Sequence, residues 1–242
     1  NTAASSPAGY QGDLEISSLY FNLDAYLNEN FRLAAGLRYE DGEQMVNTYD
    51  VFQIVDNNIE KVIDEDYTLP SFTLTYLPEF DENLQIRFGL SQTIARPTFR
   101  ELSPTLFIDV DTDRVISGSL YLENSEIDNI DLRVEYYWGF NQFLTAGLFF
   151  KDISKPIEEV VNESGDLIIT SYQNVPSAEV TGFEIEYERI YEDLLPDSKW
   201  GSTKEFIFKM NFTATDSEVI YSDTDTYITV SYTHLTLPTI TG

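Results

Sequence analysis

The sequence of 242 residues has no cysteine, a single histidine and few basic residues. Without cysteine, a disulfide framework and a thiolate metal site are excluded. A Ser-His-Asp triad or a histidine metal site would have to use His234, which lies in the terminal stretch, so both are disfavoured. Only 14 Lys and Arg accompany 42 Asp and Glu, and a net charge of −28 disfavours nucleic acid as a partner.

Long apolar runs are also missing, so the sequence predicts no transmembrane helix, which needs about 18 or more consecutive apolar residues. What it has instead is 14% aromatic residues and repeated alternation of apolar and polar positions. The clearest example is the stretch 84–95. Its apolar face carries Leu84, Ile86, Phe88 and Leu90, and its polar face carries Gln85, Arg87, Ser91 and Thr93. Period two predicts a β-strand, which ends where Arg96 precedes Pro97.

The same alternation predicts about eight principal strands, with short and long connections in turn. Short turns are expected near residues 28, 80 and 140, and a moderate one at 192–202; long connections are expected at 41–66, 97–128 and 156–177, the last with an internal hairpin over Ser164-Gly165. The predicted strands are 14–27, 31–40, 67–77, 84–95, 129–138, 143–153, 178–190 and 203–213. Short turns at one end of a sheet and long loops at the other are typical of outer-membrane barrels.

The connection 41–66 is strongly acidic and has one lysine, Lys61. We expect a loop in which 51–55 and 59–63 form a small hairpin. Its carboxylates could bind Ca²⁺, but they lack the spacing of an EF-hand loop, so solvated charge is the preferred interpretation.

A soluble β-sandwich would alternate in the same way as a barrel. Charge recurs on the polar face of single strands, however, as at Arg133 and Glu135, and a wide wet lumen tolerates this. Aromatic residues also lie near the ends of the apolar faces, as Phe31, Tyr39 and Trp138 do, which is typical of interface girdles. We therefore predict an all-β, antiparallel transmembrane barrel wall.

Four motifs give the sequence a family resemblance. They are SQTIARPTFRELSP at 91–104, NIDLRVEYY at 129–137, GLFFKDI at 147–153 followed by PIE at 156–158, and Asn174 with AEVTGFEIE at 178–186. In this order and spacing they resemble the barrel domain of TonB-dependent receptors, over about residues 14–220. Gly118-Ser119-Leu120 departs from the Gly-Asn-Pro that many relatives show before the later motif.

The resemblance implies a barrel of about 22 strands with a plugged lumen. It also implies energised uptake of a siderophore-bound metal, a cobalamin or a glycan, with outer-membrane lipid, the plug domain and the TonB energy-coupling complex as partners. No plug domain or energy-coupling box is visible, so residues 1–229 are interpreted as a partial barrel. Residues 230–242 resemble a translated sequencing adapter and are interpreted as a non-native tail.

Two groups of charged residues are the weak candidates for ligand binding. Arg96, Arg100 and Glu101 lie where a strand meets an external loop; they could contact ligand, or they could be a structural strand end with a local ion pair. Arg87, Arg133 and Glu135 would line the lumen, where they could contact the plug or form a solvated polar wall.

We expect no enzyme activity, cofactor or metal site. Glu158 and Glu159 are adjacent on a predicted strand and point to opposite faces, so they cannot flank one bond together. The leading hypothesis is an outer-membrane transporter of a Gram-negative bacterium. The alternatives are a passive porin, which would have no plug, and a secreted soluble carbohydrate-binding protein, which would not partition with membranes.

Overall fold

A computed structural model describes residues 9–49, 59–109, 114–164, 167–198, 201–221 and 227–236. These residues form thirteen strands and one short helix. In chain order they are β1 Gly9–Tyr26, β2 Phe31–Tyr49, β3 Ile59–Tyr76, β4 Leu84–Ala95, α1 Phe99–Leu102, β5 Phe107–Asp109, β6 Arg114–Ile116, β7 Ser125–Gly139, β8 Gln142–Ser154, β9 Ile157–Ser164, β10 Leu167–Asn174, β11 Ser177–Ser198, β12 Gly201–Ile220 and β13 Tyr227–Thr236.

Nine of the strands form one antiparallel sheet, in the order β1-β2-β3-β4-β7-β8-β11-β12-β13. Eight of them correspond to the predicted strands, so the all-β class and the antiparallel wall are confirmed. β13 is an additional strand that pairs with β12 from Tyr227 to Thr236. It overlaps the tail at 230–242, and the non-native origin of that tail and the division at 229 stay predictions.

One face of this sheet is apolar from β1 to β12. The strand register aligns Phe21 with Leu37, Phe72 with Leu90, and Leu132 with Leu148. Many of these side chains are exposed, among them Phe21, Leu37, Phe72, Leu90, Ile130 and Leu148. Leu84, Ile86, Phe88 and Leu90 share this face, as the alternation predicted. So large an exposed apolar surface needs a cover, and lipid is the cover a barrel wall takes.

The prediction of a long acidic loop at 41–66 is wrong for the described residues. β2 continues to Tyr49 and pairs with β3 from Ile59 onward, so most of the segment is a two-stranded extension of the wall. Its acidic side chains Asp41, Glu43, Asp64 and Asp66 are exposed on one face, whereas Val46 and Ile63 are buried on the other. The number of charges concealed this period-two pattern. Residues 59–63 therefore pair with 44–48 and not within the loop, and 51–55 lie outside the described residues.

The turn predicted for 192–202 is also shorter, because β11 continues to Ser198 and β12 begins at Gly201.

A small cap packs against the face of the β2–β3 extension that carries Val46 and Ile63. It contains α1 and a four-stranded sheet in the order β5-β6-β10-β9, where β9 and β10 are the predicted hairpin. Val46 and Ile63 of the wall form a buried core with Leu102 and Leu122 of the cap, and Phe99, Ile157 and Tyr172 pack around it. Helix α1 and strands β5 and β6 were not predicted. α1, the helix of the described residues, is too short to cross a membrane.

The wall has a seam between β3 and β4. β2 and β3 pair along 18 residues, from Phe31–Tyr76 to Thr48–Ile59, but β3 and β4 pair only from Tyr76–Ile86 to Ser71–Ser91. Above Ser71, β3 therefore follows β2, while β4 follows β7 as far as Ala95–Ser125. The cap lies where these two parts of the wall separate.

Candidate functional site

A buried carboxylate, Glu135 of β7, is the centre of an ion-pair cluster on the polar face of the wall. Its side chain is 4% exposed, and its two oxygens lie 3.3 Å from Arg87 Nη2 and 3.4 Å from Arg133 Nε. The Tyr137 hydroxyl donates to Glu135 Oε2 at 3.1 Å. The register places Arg87 of β4 directly opposite Arg133 of β7. Like charges in that position repel, so Glu135 compensates both arginines at once.

The cluster extends across β8 to β11 through Arg133. Arg133 Nη2 lies 3.9 Å from Glu184 Oε1 and 3.7 Å from Glu186 Oε2, and it donates to Thr145 Oγ1 at 3.3 Å. Three adjacent strands are thus connected by side chains as well as by their backbone ladders. The two arginines remain 42% and 39% exposed, so they keep donors available to a partner on this face.

A cleft of about 410 Å³ opens beside this cluster. Arg87, Asp131 and Glu184 contribute charge to its lining, and Gly89 and Gly147 leave room because they lack side chains. The cleft combines both signs of charge with space at the wall, which suits a polar protein segment or a polar ligand.

Asn129 forms a second polar junction above this cluster. Its Oδ1 accepts from Lys151 Nζ at 2.7 Å, and its Nδ2 donates to the Ser91 carbonyl and to Thr93 Oγ1, both at 3.2 Å. Asn129 is the first residue of the motif at 129–137, and no role was predicted for its side chain. Its position on the polar face next to lysine on the neighbouring strand was the available signal.

Arg96 lies at the end of β4 and pairs with the wall. Its Nη2 is 2.6 Å from Glu40 Oε1, and Arg38 Nη2 is 2.7 Å from Glu40 Oε2. Gln44 Nε2 donates to the Pro97 carbonyl at 2.7 Å. Arg96 thereby holds the start of the external connection against β2. Glu40 was not predicted, although alternation places it and Arg38 on the polar face of the same strand.

Arg100 and Glu101 belong to α1 and order the cap locally. Thr98 and Glu101 form a capping box, in which the Glu101 N–H donates to Thr98 Oγ1 at 3.3 Å and the Thr98 N–H donates to Glu101 Oε2 at 2.6 Å. The Arg100 guanidinium carbon is 3.1 Å from the centre of the Phe107 ring. The structure thus brings Arg87, Arg133 and Glu135 together in one cluster. Arg96 lies apart from this cluster at the end of β4, and Arg100 and Glu101 lie in the cap. A role of any of these six residues in ligand binding stays a prediction.

Asn174 at the end of β10 connects two other segments by hydrogen bonds to their backbone. Asn174 Nδ2 donates to the carbonyls of Glu123 and Lys155, and Asn174 Oδ1 accepts from the Glu123 N–H at 2.9 Å. Glu123 and Lys155 form an ion pair next to it, which lowers the pKa of the glutamic acid and raises that of the lysine. Nearby Tyr121 is 91% exposed. Within the described ranges no group of three or more His, Cys, Asp or Glu side chains is arranged to hold a metal ion.

Comparisons with known proteins agree with this arrangement. The sequence profile described as "TonB dependent receptor-like, beta-barrel" matches residues 1–240. The chain belongs to the TonB-dependent receptor family. The match confirms the resemblance found in the four motifs. The members of this family are outer-membrane β-barrel receptors and transporters, not enzymes. No curated protein matches the sequence.

Solved structures show the same fold at low identity. The hemophore receptor HasR of Serratia marcescens, as a double mutant in complex with its hemophore HasA and heme, is 11% identical with a TM-score of 0.55. The siderophore receptor PiuA of Acinetobacter baumannii is 14% identical with a TM-score of 0.54. The alignments with HasR and PiuA include 91% and 93% of the present chain. The present chain spans only 45% of the HasR chain and 36% of the PiuA chain.

Proposed function

We propose that this chain forms part of the wall and the external loops of a TonB-dependent transporter in the outer membrane of a Gram-negative bacterium. The observation that supports this most is the Glu135 cluster. It is an ion-pair network on the polar face of a wall whose other face carries exposed apolar side chains from β1 to β12. A soluble carbohydrate-binding protein would have no cover for that apolar face.

The proposed partner of the polar face is a plug domain encoded outside this chain. Arg87 and Arg133 have exposed guanidinium edges held in place by a buried carboxylate, so their donors are preorganised for carbonyl or carboxylate acceptors. The cleft next to them provides room for an inserted backbone segment. A plug seated there would couple the wall to the TonB complex, whereas a passive porin would leave the lumen open.

The proposed ligand is a scarce extracellular compound recognised at the cap and loops. This compound is a siderophore-bound metal, a cobalamin or a glycan. HasR and PiuA are described as hemophore and siderophore receptors, so iron chelates are the first ligands to test. Tyr121 is exposed on the cap and offers a ring for stacking.

The test measures uptake of radioactive iron from its chelates by cells that express the intact receptor containing this chain. Uptake is compared in cells with and without a functional TonB complex. We expect uptake only when TonB is functional, and we expect Arg133→Ala to reduce it strongly. Arg32→Ala is the matched control, because Arg32 pairs with Asp24 near the short turn after β1 and lies away from both the polar cluster and the cap. Surface amounts of each variant are measured in outer-membrane fractions. Uptake that continues without TonB would support a porin and contradict the proposal.

A further inference from the structure

Aromatic side chains form a continuous row on the apolar face near the short turn between β7 and β8. The ring centres of Tyr136 and Trp138 are 5.7 Å apart, those of Trp138 and Tyr187 are 5.6 Å apart, and those of Tyr187 and Phe208 are 5.9 Å apart. β8 begins at Gln142, and rings from the strands on either side of it contact one another. Such rows are typical of the boundary between hydrocarbon and headgroups.

One basic residue, Arg189 of β11, lies within this row. Alternation places it on the same face as Tyr187 and Tyr191. Its guanidinium carbon is 5.7 Å from the centre of the Trp138 ring and 5.2 Å from that of Tyr191. It is exposed, and no carboxylate of the described residues lies within ion-pair distance. Six other arginines do pair with carboxylates, namely Arg32, Arg38, Arg87, Arg96, Arg114 and Arg133. In so acidic a chain, an unpaired guanidinium on the lipid-facing side requires an explanation.

The row also has hydrogen-bond donors without acceptors. The buried indole nitrogen of Trp138 has no partner among the described residues. The hydroxyl oxygens of Tyr187 and Tyr191 are 3.1 Å apart, so one hydroxyl donates to the other and a single hydroxyl hydrogen remains for an outside acceptor. Arg189, Trp138 and the tyrosine pair together provide a positive charge and spare donors. The chemical group that they lack is an anion with several acceptor oxygens.

We propose that Arg189, Trp138, Tyr187 and Tyr191 bind the phosphate of a phospholipid headgroup. A phosphodiester carries one charge and several acceptor oxygens, which matches a guanidinium and adjacent N–H and O–H donors. The acyl chains would extend from the phosphate along the apolar face, where Leu144 and Phe183 are exposed.

Short turns of outer-membrane barrels lie on the periplasmic side, so the lipid belongs to the periplasmic leaflet. This inference rests on the membrane placement proposed above but is independent of the transported ligand. A free phosphate would contact only the polar groups and would gain nothing from the apolar face.

The opposite face offers a matched control in Arg32 of β2. Its guanidinium carbon is 5.8 Å from the centre of the Tyr26 ring, much as Arg189 lies near Tyr191. Arg32 lies on the polar face, however, and its Nε donates to Asp24 Oδ1 at 2.8 Å. It is thus an arginine beside a tyrosine near a short turn that already has its carboxylate.

The experiment is native mass spectrometry of the intact receptor in detergent, titrated with dioleoylphosphatidylglycerol. We expect Arg189→Ala to weaken retention of this lipid about fivefold, the effect of one basic residue near an anionic lipid surface. Trp138→Phe and Tyr191→Phe keep an aromatic ring at each position and remove one donor, so each should weaken retention less than Arg189→Ala does. If the Arg189→Ala receptor does not fold into the membrane, lipid retention by Trp138→Phe and Tyr191→Phe tests the proposal instead. Arg32→Ala should retain the lipid as the unmodified receptor does.

Two further titrations distinguish the sources of binding. Dioleoylglycerol, which lacks the phosphate, should bind the receptor and Arg189→Ala equally, and inorganic phosphate should not displace the phospholipid. Unchanged retention in Arg189→Ala, or an equal loss in Arg32→Ala, would overturn the proposal. Displacement by inorganic phosphate would show a simple anion site instead. Iron uptake should be normal in Arg189→Ala, so failure of this inference is separable from failure of the proposed transport function.

Discussion

Replacing Glu135 with Gln tests whether one buried carboxylate stabilises the polar face of the wall. The change keeps the shape and leaves the Tyr137 hydroxyl an acceptor, but it removes the charge between Arg87 and Arg133. The two arginines are directly opposite one another in the ladder, so the variant exposes their repulsion.

The expected loss lies between two limits. Breaking a fully buried ion pair costs about 3–5 kcal/mol, and breaking an exposed pair costs about 0–1 kcal/mol. Glu135 is 4% exposed, but the arginines are 42% and 39% exposed, and Arg133 keeps Glu184 and Glu186 nearby. We therefore expect Glu135→Gln to lower the free energy of unfolding by about 2 kcal/mol, well below the upper limit.

The measurement is urea unfolding of the intact receptor in lipid vesicles, followed by tryptophan fluorescence. The midpoint should fall while the slope is unchanged, because the surface exposed on unfolding stays the same. Glu186→Gln is the control: its carboxylate is 42% exposed and 3.7 Å from Arg133, so its loss should be below about 1 kcal/mol. A double-mutant cycle with Arg133→Gln should give a coupling energy above about 0.5 kcal/mol. If Glu135→Gln is no more harmful than Glu186→Gln, the reasoning about burial is refuted.

Two further predictions concern the cap. Gly12→Ala should detach the cap from the wall, because a Cβ at Gly12 would collide with the Phe99 ring. Limited proteolysis should then cut within 96–124 faster. Gly89→Ala is the control: its Cβ would lie 3.6 Å from the nearest atom, so the cleavage rate should be unchanged. In the β9–β10 hairpin, burial and the neighbouring Glu159 raise the pKa of Glu158 above its usual 4.5. A raised carboxyl pKa means that the folded hairpin binds the proton more tightly, so this stabilisation is complete below pH 4.5 and is lost as the pH rises through the folded pKa. The protection of the hairpin amides against hydrogen exchange, after the intrinsic pH dependence of exchange is divided out, should fall across that pH range. Glu158→Gln should remove this fall, and an unchanged protection profile in that variant would contradict the assignment.

Much of the wall was predictable because its strands alternate without interruption. Arg87, Arg133 and Glu135 were placed on one face from period two alone, and the register then brought them together. The acidic extension of β2 and β3 was missed because its buried positions are few and lie among many charges. Val46 and Ile63 become recognisable as core residues only when the cap that covers them is known.

The cap itself could not be derived from local pattern. α1 has only four residues, and the one local signal for it is the capping box of Thr98 and Glu101. β6 pairs in parallel with β10, a strand more than 50 residues away, and such pairing leaves no trace in either segment. The partner of Arg96 likewise depended on how far β2 extends, which places Glu40 beneath the external connection.

The seam between β3 and β4 has a consequence for how such a receptor can change over evolutionary time. Above Ser71 no backbone ladder joins the two strands, and side chains connect the two parts of the wall instead. Arg96, which follows β4, pairs with Glu40 of β2, and Asn124, which precedes β7, donates to Glu65 of β3. Insertions, deletions and substitutions in the cap can therefore accumulate without shifting the register of the strands below. With the cap as the proposed site of ligand recognition, this division would let new specificities arise while the pairing of the strands below stays intact.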